Sequence, residues 1–220
     1  MGDEALLHAR DGATLIARDR AAGARLAATM GARALILDDG HQNSRLVKDA
    51  SIVVIDASAG IGNGRVFPAG PLREPLADGL ARADGFVLVG DGAAPSWLEG
   101  RAVARARLAP LAPPPPGPLV AFAGIARPDK FFDTLRAEGG ELAECIPYPD
   151  HHPFSDRELT WLARLADERG ARLITTEKDW VRLGHAWRAR IRTLPVRAAF
   201  EDEAAFDALL ALIRAAMEAR

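Results

Sequence analysis

The sequence predicts an α/β fold, a parallel sheet with helices on both faces followed by a second, smaller α/β domain. Three observations carry that expectation. Short apolar runs recur and each stops at an acid or a glycine: Ala34-Leu35-Ile36-Leu37 before Asp38-Asp39-Gly40, Ile52-Val53-Val54-Ile55 before Asp56, and Phe86-Val87-Leu88-Val89 before Gly90-Asp91. Runs this short and this apolar fit strands covered on both faces, as in parallel sheets. Helical stretches alternate with them, which is the α/β pattern. A tract of consecutive prolines, Pro113 to Pro116, is stiff and extended and marks a boundary.

Taken in order, Asp3 and Glu4 open a helix at once, with two carboxylates in its first turn. A short strand is expected over Ala13–Ala17, then a helix over Arg20–Met30, then the strand Ala34–Leu37. The strands ending at Asp56 and Gly90 complete a first domain over 1–112. The linker is 113–118. The second domain, 119–220, begins on the apolar strand Leu119-Val120-Ala121-Phe122-Ala123-Gly124. Ser155 and Glu158 have the spacing of a capping box for a helix carrying Leu159, Leu162, Ala163 and Ala166, closed by Gly170. The strand Arg172–Thr175 runs into Thr176-Glu177-Lys178-Asp179. A terminal helix over 202–219 aligns Phe206, Leu209, Leu210, Ile213 and Met217 in one stripe and can pack back on the first domain.

Bulk properties exclude several classes. With 28 basic and 30 acidic side chains the formal charge is −2, which gives no electrostatic footprint for nucleic acid. Cys145 is the only cysteine, so no internal disulfide forms and a reducing compartment is expected. No apolar run is long enough to span a bilayer and no signal peptide is visible, so the sequence reads as cytoplasmic.

Chemistry concentrates at strand ends and loops. Asp38 and Asp39, at the carboxyl end of a buried strand, stand where open α/β sheets bind ligands and where nucleotide kinases hold Mg²⁺; a turn favoured by Asp is the plainer reading, and both stay open on the residues alone. Asp3 and Glu4 read as helix-capping acids or as a general base for a hydroxyl. Gly62-Asn63-Gly64, with Arg65, Arg73 and the stretch Pro68 to Glu74, reads as a phosphate- or sugar-receiving loop or as a turn. His151 and His152 are adjacent and therefore ill-placed to ligate one zinc; one of them can orient a carboxylate.

The order of these motifs is more telling than any one of them. Gly2-Asp3-Glu4, Asp38-Asp39-Gly40-His41-Gln42, Gly62-Asn63-Gly64-Arg65, Pro68-Ala69-Gly70-Pro71-Leu72-Arg73-Glu74, Phe122-Ala123-Gly124-Ile125, Asp150-His151 and Thr176-Glu177-Lys178-Asp179 together resemble the lipid A 4'-kinase (tetraacyldisaccharide 4'-kinase) family along essentially the whole chain. The resemblance implies a P-loop-kinase-like first domain and a Gram-negative enzyme. Its reaction moves the γ-phosphate of ATP, with Mg²⁺, to the 4'-hydroxyl of a tetraacylated disaccharide 1-phosphate at the cytoplasmic face of the inner membrane. It further implies Asp3 as catalytic base supported by His151, and Asp38 and Asp39 as the Mg²⁺-associated pair with Gln42 and Glu4 nearby. Arg65, Arg73 and Lys130 become contacts for substrate phosphate or sugar.

Family members carry, upstream, a Gly-rich loop with Lys and Ser/Thr that cradles the ATP phosphates; no such motif occurs in these 220 residues, and Met1 stands directly before Gly-Asp-Glu. The expectation is a polypeptide truncated at its N-terminus, inactive and poorly soluble alone. A lipid-sugar-binding remnant without catalysis is the alternative, and a metal-dependent hydrolase using Asp38, Asp39 and His151 is a third reading.

Overall fold

The computed structural model describes residues 2–218; Met1 and residue 219 of the expected terminal helix lie outside them. In chain order the elements are α1 (Asp3–Asp11), α2 (Arg20–Thr29), β1 (Ile52–Asp56), α3 (Leu76–Ala81), β2 (Gly85–Val89), β3 (Val103–Pro110), β4 (Pro118–Ala123), α4 (Pro128–Ala137) and β5 (Glu141–Pro147). They continue with α5 (Asp156–Glu168), β6 (Arg172–Thr175), α6 (Glu177–Trp180), α7 (His185–Arg188), β7 (Arg192–Thr193), β8 (Val196–Phe200) and α8 (Glu203–Glu218). The chain packs as two units, and neither is a single stretch. One comprises Met1–Ile16 with Pro110–Val196, the other Ala17–Ala109 with Arg197–Arg220. A single cut at the proline tract therefore does not separate them.

The first unit is built on a four-stranded sheet in the order β5-β4-β6-β7, every pair parallel. The apolar run 119–123 becomes its central strand β4, in which Leu119 to Ala123 are fully buried. One face packs Val120, Phe122 and Leu173 against Leu159, Leu162, Ala163 and Ala166 of α5. The other packs Leu119, Ala121 and Ile174 against Phe131, Phe132 and Leu135 of α4. Each fully buried Leu, Ile or Phe contributes about 1.5–3 kcal/mol of transfer free energy, so this double-sided core makes β4 a rigid base for the loop that follows it.

Helix α5 begins as its sequence dictates. The Ser155 hydroxyl accepts from the Glu158 amide, and Glu158 Oε2 accepts from the Ser155 amide at 2.8 Å. Gly170 follows the helix with φ 59°, a conformation that costs glycine nothing. The Ser155 hydroxyl and amide and the His152 ring, 2.8 Å from Oε1, hold the Glu158 carboxyl down at about 2. A value depressed in the folded state stabilises above the ordinary 4.5, and that stability is lost as the pH falls from there through about 2. Glu158→Gln is therefore expected to flatten the acid limb of stability. Thermal midpoints followed by circular dichroism should lie below wild type at neutral pH and converge with it by about pH 2; parallel curves would refute the assignment.

The second unit carries a sheet in the order β1-β2-β3-β8, with β1, β2 and β3 parallel. Its core is smaller: Ile55, Phe86, Leu88 and Leu98, with Trp97 edge-on to Phe86 at 6.3 Å. Leu209 of α8 is buried, and its Cδ2 would stand 2.5 Å from a Cβ placed at Gly85. Glycine at 85 is what lets α8 approach β2 so closely.

Two expected strands do not form. Ala13–Ala17 and Ala34–Leu37 are irregular, and Ile16 and Ile36 are 59% and 100% exposed. Neither run pairs with a strand among the described residues, and apolar composition cannot order a strand without a ladder partner. β1 keeps the composition of a central strand while standing at the sheet edge, and Val54 is 67% exposed. In α8 the expected stripe holds at Leu209, whereas Met217 is half exposed. No helix among the described residues is long and apolar enough to cross a membrane.

Candidate active site

Asp3 enters the structure as the first residue of α1 and is 5% exposed. Its burial follows from local sequence: Gly2, extended at φ −70° and ψ 147°, turns the chain into the helix, and the Asp3 side chain points inward. The carboxylate oxygen Oδ2 makes no hydrogen bond among the described residues. Two cations or potential cations face it, His151 Nδ1 at 3.2 Å and Lys178 Nζ at 3.8 Å. An acceptor lone pair left open in a nearly buried carboxylate suits a group that takes a proton from an incoming hydroxyl.

His151 stands in the turn after β5, on a backbone with φ 57°. A non-glycine residue there costs on the order of 1–3 kcal/mol and persists only when its surroundings over-determine it. Here the His151 amide donates to the Gly124 carbonyl at 3.0 Å, and the His152 amide donates to Pro149 at 3.1 Å. The ring of His151 is more than half exposed and also lies 3.8 Å from Asp150.

Lys178 is a residue that sequence reasoning did not assign to a site. Its ammonium lies 3.1 Å from Glu4 Oε1 as well as near Asp3. Partial burial works against its charge, but the Glu4 hydrogen bond and the Glu4, Asp3 and Asp150 charges hold the ammonium above its ordinary value. The signal available beforehand was a lysine inside Thr-Glu-Lys-Asp at a strand's carboxyl end; its partner, 174 residues away, is not legible locally. Arg10 of α1 pairs in turn with Glu177 at 2.9 Å. Lys130, in the first turn of α4, is exposed.

The other expected site residues belong to the second unit. Asp38 and Asp39 are exposed, and Asp39 adopts φ 47°. Arg20 donates to both of their carbonyls, at 3.1 and 3.2 Å, which pins the turn from beneath. Arg73 pairs with the Asp39 carboxylate at 2.9 Å, so two expected site residues meet directly. That hydrogen bond and charge raise the Arg73 value further. Gln42 lies near Glu74, whose carboxyl is held below the ordinary value first by the Arg82 guanidinium, with Gln42 adding to it. The Arg65 side chain is exposed, while its carbonyl accepts from Leu72 at 3.1 Å.

The loop over residues 62–74 is tightly built. Asn63 donates to the Ala69 carbonyl at 2.8 Å, and a Cβ at Gly70 would stand 2.1 Å from Asn63 Oδ1 and 2.4 Å from the Arg65 carbonyl oxygen. Gly70→Ala is expected to break this closure and cost about 1–3 kcal/mol, read by urea denaturation; a change within about 0.5 kcal/mol would show that the loop yields.

Parallel sheets flanked by helices place the chain in the P-loop-kinase-like α/β class. A solved structure of that class, an "apo" form LpxK from Aquifex aeolicus in complex with ATP, superposes with a TM-score of 0.65 at 25% identity, covering 90% of this chain and 63% of that one. The family model for tetraacyldisaccharide-1-P 4'-kinase matches residues 1–214, and the chain belongs to that family. Among its relatives, the tetraacyldisaccharide 4'-kinase of Hyphomonas neptunium is 53% identical over 97% of this chain and 65% of its own length. Those of Phenylobacterium zucineum and Maricaulis maris are 52% and 53% identical over 96% of the chain, and 68% and 64% of their own lengths. The chain thus spans about two thirds of the length of the relatives it matches.

Proposed function

We propose that the chain supplies the acceptor-activating and metal-associated residues of an ATP-dependent kinase. That kinase phosphorylates the 4'-hydroxyl of tetraacyldisaccharide 1-phosphate in lipid A biosynthesis. The single observation that carries the reading is the open, buried Oδ2 of Asp3 with His151 Nδ1 at 3.2 Å. In this reading Asp3 accepts the proton of the 4'-hydroxyl as that oxygen attacks the γ-phosphorus and the bond to the β-phosphate oxygen breaks. His151 orients the carboxylate and shares the proton, and Lys178 compensates the negative charge of Asp3 and Glu4.

Asp38 and Asp39 offer adjacent hard oxygen donors. Among the described residues no group of three or more His, Cys, Asp or Glu stands together as a metal cage. That donor set fits Mg²⁺ arriving with a triphosphate, because Mg²⁺ is held by one or two carboxylates plus substrate phosphates. When bound, the ion neutralises charge on the phosphates. Asp39 would leave Arg73 to reach it, freeing a guanidinium for a phosphate oxygen or sugar hydroxyl. Arg65 and Lys130 are the other proposed substrate contacts. An acylated acceptor places the reaction at the membrane surface, on the cytoplasmic side where ATP is available.

The test is phosphate transfer from labelled ATP to the disaccharide lipid with Mg²⁺. It is run on the 220-residue chain and on a form extended upstream in its own reading frame. Transfer that Asp3→Ala abolishes supports the proposal. Lipid binding without transfer in either form supports the non-catalytic lipid-sugar-binding alternative instead.

A further inference from the structure

The four-residue helix α6 reaches both halves of the Asp3–His151 pair at once, and all the contacts lie within the first unit. Toward α1, Glu177 accepts from Arg10 at 2.9 Å and Lys178 donates to Glu4 at 3.1 Å while facing Asp3. Toward the loop after β4, Asp179 is completely buried and accepts from the Gly124 amide at 3.0 Å. It also accepts from the Thr176 hydroxyl at 2.7 Å and is salt-bridged to Arg182. Arg182 in turn donates to the Gly124 carbonyl at 3.2 Å. That same carbonyl receives the His151 amide.

Gly124 is therefore gripped at its N–H and at its C=O by two halves of one ion pair, and it passes the constraint directly to His151. The fit has no slack. A Cβ at Gly124 would lie 3.1 Å from His152 Cβ, 3.2 Å from Asp179 Oδ1 and 3.3 Å from Phe154. Capping α6 requires only the Thr176 hydroxyl, which accepts from the Asp179 amide at 3.1 Å. A fully buried carboxylate paired with an arginine goes beyond what a cap needs, since a buried charge is costly unless it is paired.

We propose that Asp179 and Arg182 are positioning residues that fix His151 through the Gly124 peptide, and that Lys178 is the tether that fixes Asp3. The turn after β6 then sets the separation of the two. The catalytic consequence rests on the proposed phosphoryl transfer; the positioning itself does not.

The deciding measurement is amide hydrogen exchange by NMR on the ¹⁵N-labelled 220-residue chain. Asp179→Asn keeps the size and the Thr176 contact but removes the charge. It is expected to speed exchange of the His151 amide at least about tenfold, while amides of Val120 and Leu162 stay within about twofold. In the transfer-competent form the same variant should lower kcat about tenfold or more with KM for ATP within about twofold. An unchanged His151 amide, or an equal rise at Val120 and Leu162, overturns the proposal. Should Asp179→Asn fail to fold, Arg182→Lys applies the same criteria, because lysine keeps the charge but cannot span Asp179 and the Gly124 carbonyl together. If Asp3→Ala leaves transfer intact, the functional reading falls while the exchange result still decides the positioning.

Discussion

Asp3→Ala is expected to reduce phosphate transfer to the 4'-hydroxyl by about 10²–10⁴-fold, the usual contribution of a positioned general base. The effect should fall on kcat, because a general base engages the proton only as the hydroxyl attacks. Asp3→Asn should be nearly as damaging, since an amide offers His151 and Lys178 similar bulk but no basic oxygen. The fold should survive either change. α1 retains Glu4 for the helix dipole, and the exposed Arg10–Glu177 pair still ties it to α6, though such pairs contribute only about 0.2–1 kcal/mol. Steady-state rates of both variants, with circular dichroism to verify folding, decide the matter. Retention of more than about a tenth of the wild-type rate would remove Asp3 from the role of base.

Phe122→Ala is expected to cost about 3–5 kcal/mol, the range for truncating a buried phenylalanine. Phe122 is fully enclosed on the central strand, with Phe154 edge-on at 5.2 Å and Leu159 and Leu162 of α5 beside it. Its neighbours are fixed at both ends, by the sheet on one side and by the capping box on the other, so the cavity cannot collapse easily. Urea denaturation of the variant should show a lower midpoint at similar slope. A loss under about 1 kcal/mol would mean that α5 settles into the gap.

Much of the fold was legible because its signals are local. The runs 52–55, 86–89, 119–123 and 172–175 are apolar enough to specify buried strands, and each forms a strand of one of the two sheets. Ser155 and Glu158 specify a helix start through two hydrogen bonds, and both form. β3 and β5 went unread, because arginines and glutamates alternate with their apolar residues and dilute the strand pattern. The runs 13–17 and 34–37 misled in the opposite direction: their composition is that of strands, but hydrogen-bond partners decide, and among the described residues no strand pairs with them. For the site, the nearness of Asp3 to His151 has no trace in spacing, since 148 positions separate them. Lys178 and Asp179 read as an ordinary helix start, because that is also what they form. Only the packing of α1 beside α6 reveals the second use.

The interleaving of the two units bears on how the molecule can be taken apart. A fragment ending in the proline tract would carry Asp3 without His151 and Lys178, which face it, and would lack β8 and α8. A fragment beginning there would carry His151, Lys178 and Asp179 without the helix that supplies their carboxylate. Within these residues the unit holding β1, β2 and β3 takes its last strand and helix from beyond Val196, whereas the other takes nothing from beyond it.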